Sequence, residues 1–133
     1  MSKIFTLSEA GSIAIHSMVL IARSNDSLNV IKIAELTGSS KHHVAKVLQR
    51  LAKEDFLDSN RGPHGGFRLK RSPDQISLIE IYEAIEGKII VTDCPMDNSK
   101  CPFDKCIMEN TISTMATEFK NYLDTQKLSD CLE

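Results

Sequence analysis

Residues Val30 to Leu69 read VIKIAELTGSSKHHVAKVLQRLAKEDFLDSNRGPHGGFRL, and the spacing of their apolar side chains decides the architecture. Ile31, Ile33, Ala34 and Leu36 precede Thr37-Gly38-Ser39-Ser40; Val44, Val47, Leu48 and Leu51 then recur at the steps of a helix face. The pattern predicts a helix, a glycine-containing turn and a second helix. Ala34 stands where crossing helices need a small residue, Gly38 where the turn needs a permissive one, and Val44 and Val47 where the second helix is buried.

With Val44, Val47, Leu48 and Leu51 inward, a rotation of about 100 degrees per residue sends His42, Lys46, Gln49 and Lys53 outward, flanked by His43, Ala45 and Arg50. Such a face suits nucleic acid. Lys46 and Arg50 can take phosphate or guanine edges, Gln49 can pair with adenine, and Ala45 offers only an apolar surface. A merely solvated basic helix face carries the same residues. Beyond it, Phe56-Leu57-Asp58-Ser59 and Phe67-Arg68-Leu69 are strand-like runs joined by Asn60-Arg61-Gly62-Pro63-His64-Gly65-Gly66. Three glycines, a proline and basic residues together are more than an ordinary surface hairpin needs. The expectation is a wing whose tip, with Arg61 and His64, meets a phosphate or sends Arg61 into a minor groove.

A chain of 133 residues supports one modest core with an appendage. There is no secretory leader pattern and no run of about 18 apolar residues, so the expected location is the cytoplasm, with no membrane partner. The net charge of −2 hides an asymmetry. Residues 1 to 71 hold 11 Lys and Arg against 6 acids, and residues 72 to 133 hold 5 against 12. A basic front half suits a polyanion, and an acidic back half keeps any such contact in the front.

Around that central stretch, Thr6-Leu7-Ser8-Glu9 has the form of a capping box, and Ile13, Ala14, Ser17, Met18, Leu20 and Ile21 continue it as an opening helix from about Leu7 to Arg23. Asn25-Asp26-Ser27 reads as a loop. After Ser72-Pro73-Asp74-Gln75, the box Ser77-Leu78-Ile79-Glu80 begins a supporting helix with Ile81, Tyr82 and Ile85 on its apolar side and Gly87 at its end. A last periodicity, Met108, Ile112, Met115, Phe119 and Tyr122, has the alternating spacing of a seam between helices. Its natural partner is a second copy of the chain; packing against the opening helix is the alternative. The expected domains are 1–87, the DNA-binding part, and 88–133, the cysteine loop and dimerisation helix.

Three of the four cysteines, Cys94, Cys101 and Cys106, lie six and then four residues apart, with Pro95 and Pro102 after the first two. Converging thiolates select zinc, copper(I) or iron-sulfur clusters, and cluster cysteines often run into proline. Without Cys-x-x-Cys pairs the spacing matches zinc ribbons and fingers poorly. Three thiolates leave a four-ligand site one short. Unligated cysteines and a structural zinc remain the alternatives. Cys131 reads as a bystander in a frayed terminus, and His42 and His43 as DNA-facing residues and not ligands.

Taken together, Arg61-Gly62-Pro63-His64-Gly65-Gly66-Phe67-Arg68-Leu69, the Pro73 to Gly87 segment and the three-cysteine loop before a long last helix resemble the Rrf2 family of winged helix-turn-helix transcription regulators, which includes iron-sulfur assembly regulators and nitric oxide sensors. The resemblance covers nearly the whole chain. It implies a mainly α fold with a small β-hairpin wing and a long C-terminal dimerisation helix. It also implies a homodimer on a palindromic operator in double-stranded DNA. The reading helix would use Ser40, Lys41, His42, His43, Lys46, Gln49 and Arg50, and the wing Arg61, Gly62, His64 and Gly65. Cys94, Cys101 and Cys106 would ligate a 4Fe-4S or 2Fe-2S cluster.

Two departures from the usual family pattern stand out. The cysteine spacing is uneven where an even one is usual, and Glu109 occupies the position at which assembly regulators carry a ligand histidine. Other members take a carboxylate or histidine from the opening helix, which brings in Glu9, Ser12 and His16; of these Ser12 is chemically the weakest. Glu9, His16 and Glu109 are therefore the candidate fourth ligands. The expected function is a regulator whose operator affinity follows cluster loss, oxidation or nitrosylation. A zinc-stabilised or thiol-switch winged-helix regulator, or a protein-interaction module without a cluster, is the alternative. No convergent nucleophile, base and oxyanion set suggests an enzyme.

Overall fold

In the computed structural model, which describes residues 1–3, 5–63, 65–91 and 100–132, α1 (Glu9–Arg23) begins where the Ser8 hydroxyl accepts from the Gly11 N–H at 3.0 Å. The box at Thr6 is not the one that forms. Ser8 takes the N-cap position because its hydroxyl is also used by the body of the protein, donating to Glu86 Oε1 at 2.7 Å. α1 turns Ile13, Ala14, Ser17, Met18 and Ile21 into the core.

α2 (Val30–Thr37) is capped by Asn29, whose side chain accepts from the Lys32 N–H at 2.8 Å, and ends at Gly38 in the left-handed region, φ 67°. It buries only Ile33 and Ala34. Ile31 and Leu36 are about half exposed, at 52% and 53%, although they belong to the periodicity that identified the helix. An eight-residue helix lying on the edge of the core has room for only one narrow buried stripe. α3 (Lys41–Lys53) follows after Ser39 and Ser40, with Val44, Leu48 and Leu51 at 0% exposure and Val47 at 4%.

The hairpin is antiparallel. β1 (Leu57–Asn60) pairs with β2 (Gly66–Leu69) in the register Leu57 with Leu69, Asp58 with Arg68, Ser59 with Phe67 and Asn60 with Gly66. Its base is fastened to the loop before α2: Leu28 N–H donates to Phe67 C=O at 3.0 Å and Phe67 N–H donates back to Leu28 C=O at 2.7 Å. This crossing explains Gly66. Its φ is 154°, and a Cβ there would sit 2.5 Å from Leu28 O, inside any permitted contact.

α4 (Leu78–Glu86) carries the expected capping box, complete: Ser77 Oγ accepts from Glu80 N–H at 3.3 Å, and Ser77 N–H donates to Glu80 Oε2 at 2.9 Å. Burial pushes the Glu80 carboxyl up, but hydrogen bonds from the Ser77 backbone and hydroxyl and the Arg71 guanidinium outweigh it and hold the group below the ordinary glutamate range. Leu78, Ile79 and Ile81 close the core over α1 and α3.

α5 (Thr111–Thr125) packs on α4 and buries Leu123, leaves Ile112 and Ala116 half-buried, and keeps Met115, Phe119 and Tyr122 42%, 46% and 55% exposed. The chain then returns to the body. Leu78 N–H donates to Gln126 C=O at 3.0 Å, and Leu128 N–H donates to Ile76 C=O at 2.8 Å. Arg23 donates through Nε and Nη2 to Cys131 C=O at 2.9 and 2.7 Å. Cys131 therefore sits in a held turn, Leu128–Cys131, and the expectation of a frayed end there is corrected. A buried Leu128 and a two-pronged arginine supply the anchorage that position along the chain did not reveal.

Gly66→Ala is expected to destabilise the fold by about 2–4 kcal/mol, since strained backbone and a backbone clash coincide there. Urea unfolding at an unchanged slope would measure it; a change under about 0.5 kcal/mol would contradict the close approach at Leu28.

Candidate nucleic-acid interface

The rotation of α3 divides its residues cleanly. Lys41, His42, Lys46, Gln49 and Arg50 are exposed, opposite the buried Val44, Val47, Leu48 and Leu51. Ser40 is the N-cap, accepting from the His43 N–H at 3.1 Å, so its hydroxyl is committed to fixing the start of the helix. His43 is half-buried. Its Nδ1 lies 3.3 Å from Glu9 Oε1 of α1, a contact that is an ion pair only when the imidazole is protonated.

The cations on this face are not equivalent. Arg50 Nε lies 3.3 Å from Glu54 Oε1 one turn along, so part of its charge is satisfied within the helix. Lys46 and Gln49 have no hydrogen-bond or ion-pair partner among the described residues. The wing brings Arg61, Gly62 and Pro63 to an exposed tip, with Gly65 half-buried below them. His64 lies outside the described residues.

Wing placement depends on two residues that periodicity did not single out. Leu28 supplies both backbone bonds to Phe67, and Asn29 starts the helix that packs against α3. The adjacent pair Gly65-Gly66 was the available signal, since glycine inside a strand marks a close backbone approach.

The proposed ligand set is represented in part. Cys94 lies outside the described residues. Cys101 and Cys106 are half-buried and not disulfide-bonded, on the segment leading into α5. Glu109 is exposed in the turn that follows, its N–H donating to Cys106 C=O at 3.1 Å; it and Asn110 adopt left-handed backbones, φ 52° and 59°. Of the candidates on α1, Glu9 faces His43, and His16 Nδ1 lies 2.7 Å from the carbonyl of Ser12 in its own helix. Among the described residues, no three His, Cys, Asp or Glu side chains gather as a metal site. No described helix is long and apolar enough to cross a membrane.

Residues 7–133 match the family described as "Rrf2: Iron-dependent Transcriptional regulator". Similar proteins include the HTH-type transcriptional regulator NsrR of Bacillus licheniformis, 26% identical over 111 residues that cover 82% of this chain and 78% of that protein. Another is the HTH-type transcriptional regulator IscR of Sodalis glossinidius, 26% identical over 127 residues, 92% of this chain and 77% of that protein. Among solved structures, CymR, the global cysteine regulator of B. subtilis, superposes with a TM-score of 0.74 at 21% identity over 97% of each chain, a likeness of fold.

On this geometry Lys46→Ala is expected to weaken duplex DNA binding by about 3- to 10-fold and to lower the salt slope by about 1. Arg50→Ala is expected to lose less, because Glu54 already shares its charge. Titrations at several salt concentrations would check the order; equal or reversed losses would contradict it.

Proposed function

The chain belongs to the Rrf2 family of transcriptional regulators, and on that premise we propose that it is a homodimer that reads a palindromic operator through α3 and the wing, its affinity set by an iron-sulfur cluster. It is a regulator and not an enzyme, as the names of the family and of the relatives state. The observation that carries the operator-reading part is the α3 face. Three apolar residues at 0% exposure lock the helix from behind, leaving Lys46, Gln49 and Arg50 in front and Arg61 on the neighbouring wing. Phosphate contacts from the lysines and Arg61 would set position, and Gln49 and Arg50 can read base edges.

The dimer part rests on α5. Met115, Phe119 and Tyr122 present an apolar stripe that nothing among the described residues covers completely, at the spacing of a helix seam. A second copy, related by a two-fold axis, would cover it and place two α3 helices on two half-sites. In this reading residues 1–87 bind DNA and residues 88–133 sense and dimerise.

For the cluster, the donors are chemically suited: Cys101 and Cys106 are unbridged thiols on a non-helical segment, and Cys94 would complete the set. Bound there, an iron-sulfur cluster would supply a redox-active group able to react with oxygen or nitric oxide. Glu109 in the adjacent turn, His16 and Glu9 stay the proposed sources of a fourth donor. The segment lies between α4, which packs on α1 and α3, and α5, which carries the apolar stripe. A group held there is placed to bias one arrangement of those helices over another, provided it binds the two with different free energies.

Protein purified without oxygen is expected to be brown, with iron and sulfide in comparable amounts. Cys106→Ala is expected to remove the colour, keep the helical circular dichroism and change the affinity for a duplex selected from a random-sequence pool. A colourless protein with zinc or no metal after reconstitution would overturn the cluster reading. Identical DNA affinity with and without the cluster would overturn the sensing role.

A further inference from the structure

Arg71 follows β2 where the wing returns to the body, and its guanidinium is bound on several sides. Its Nη2 donates to Gln75 C=O at 2.9 Å and to Glu80 Oε1 at 3.2 Å, and its Cζ lies 5.4 Å from the centroid of the Phe56 ring. Phe56 directly precedes β1 and is buried, and its C=O accepts from the Lys70 N–H at 3.0 Å. One side chain therefore touches both roots of the hairpin and the first turn of α4. Solvent reaches the pair, with the Arg71 side chain 35% and that of Glu80 41% exposed, so it adds little to folding and its consequence is geometric.

That geometry counts because α4 also packs against α3. The Leu28–Phe67 bridge ties β2 to the segment before α2, and Arg71 ties the exit of the same strand to the helix on which the DNA-reading face rests. Strands of four residues carry the tip roughly 13 Å from the root, so a swing of about 10 degrees there displaces the tip by about 2 Å, enough to break a hydrogen bond to phosphate.

We infer that Arg71 is a positioning residue for DNA binding: anchored on Glu80, it sets the wing so that Arg61 and α3 meet one duplex together; this rests on the reading of α3 and the wing as the DNA-contacting elements. Glu80 divides its oxygens between two tasks. Oε2 accepts from the Ser77 N–H at 2.9 Å and from the Ser77 hydroxyl at 3.0 Å, and Oε1 is left for Arg71. An amide has a single oxygen. Glu80→Gln can keep the capping box, in which glutamine also serves, but then turns an NH2 group toward a guanidinium.

The sign of the effect separates positioning from simple electrostatics. Removing a carboxylate relieves repulsion from phosphate and should tighten binding. Losing the wing's placement weakens it instead, by about 3- to 10-fold, and lowers the salt slope by about 1 because the Arg61 contact goes with it.

The test measures Glu80→Gln, Arg71→Met and Arg61→Ala singly, and Arg61→Ala added to each of the other two, on the intact chain purified without oxygen. The probe is a duplex that the wild-type chain has selected from a random-sequence pool. Arg71→Met leaves the capping box untouched and decides the matter alone if circular dichroism shows that Glu80→Gln does not fold. Weaker binding and a shallower salt slope in the folded variants, with Arg61→Ala then costing less than about 2-fold, bear the inference out. Arg61→Ala at its full cost in those backgrounds, or unchanged or tighter binding by folded Glu80→Gln, overturns it while leaving α3 as the DNA-contacting helix. A loss confined to Arg71→Met marks the guanidinium as a direct phosphate contact and overturns it as well. A wild-type chain that selects no duplex and has no salt-sensitive affinity overturns both readings.

Discussion

The burial of Val44, Leu48 and Leu51 at 0% exposure fixes the rotation of α3, and the surface offered to nucleic acid follows from that rotation. Turning the helix by half a revolution would expose three side chains, each stabilising the fold by roughly 1.5–3 kcal/mol through burial, and would drive Lys46 and Arg50 into a core with nothing to pair them. The polar face therefore needs no interaction of its own to stay outside. It is free to carry residues chosen for a partner, and Lys46 and Gln49 make no hydrogen bond or ion pair among the described residues.

The same core sets the wing and the C-terminal segment. Leu57 at the start of β1 is buried beside α3, and the Leu28–Phe67 bridge ties β2 to the loop before α2, so the hairpin is held at both edges of its base. Only its tip projects. At the other end, Ile76 and Leu78 take backbone partners from Leu128 and Gln126, and Arg23 fastens Cys131. α5 is thus anchored at its C-terminal end, while Met115, Phe119 and Tyr122 along its apolar stripe stay about half exposed.

Much of this was legible in the sequence because it is periodic or local. The four buried residues of α3, the Ser77–Glu80 box and the left-handed Gly38 depend on neighbours three or four positions away. The misses share another cause. Thr6 and Ser8 are equally good caps in isolation, and Glu86, 78 residues along, decides between them. Ile31 and Leu36 fit a helix stripe, but a short helix at the edge of the core buries only part of it. Nothing in the pattern around Glu9 announced His43, since spacing along the chain cannot name a partner on another helix. The glycine pair in the wing came nearest to advertising a long-range contact, and it pointed to a close approach without saying that Leu28 made it.

Amide chemical-shift mapping of nitrogen-15-labelled protein against a selected duplex tests most directly which face of the protein meets DNA. Shifts concentrated in Ser40 to Arg50 and around Arg61, with the α5 stripe unmoved, are the predicted result. Shifts centred on α5, or none at a concentration where the duplex is bound, would contradict it.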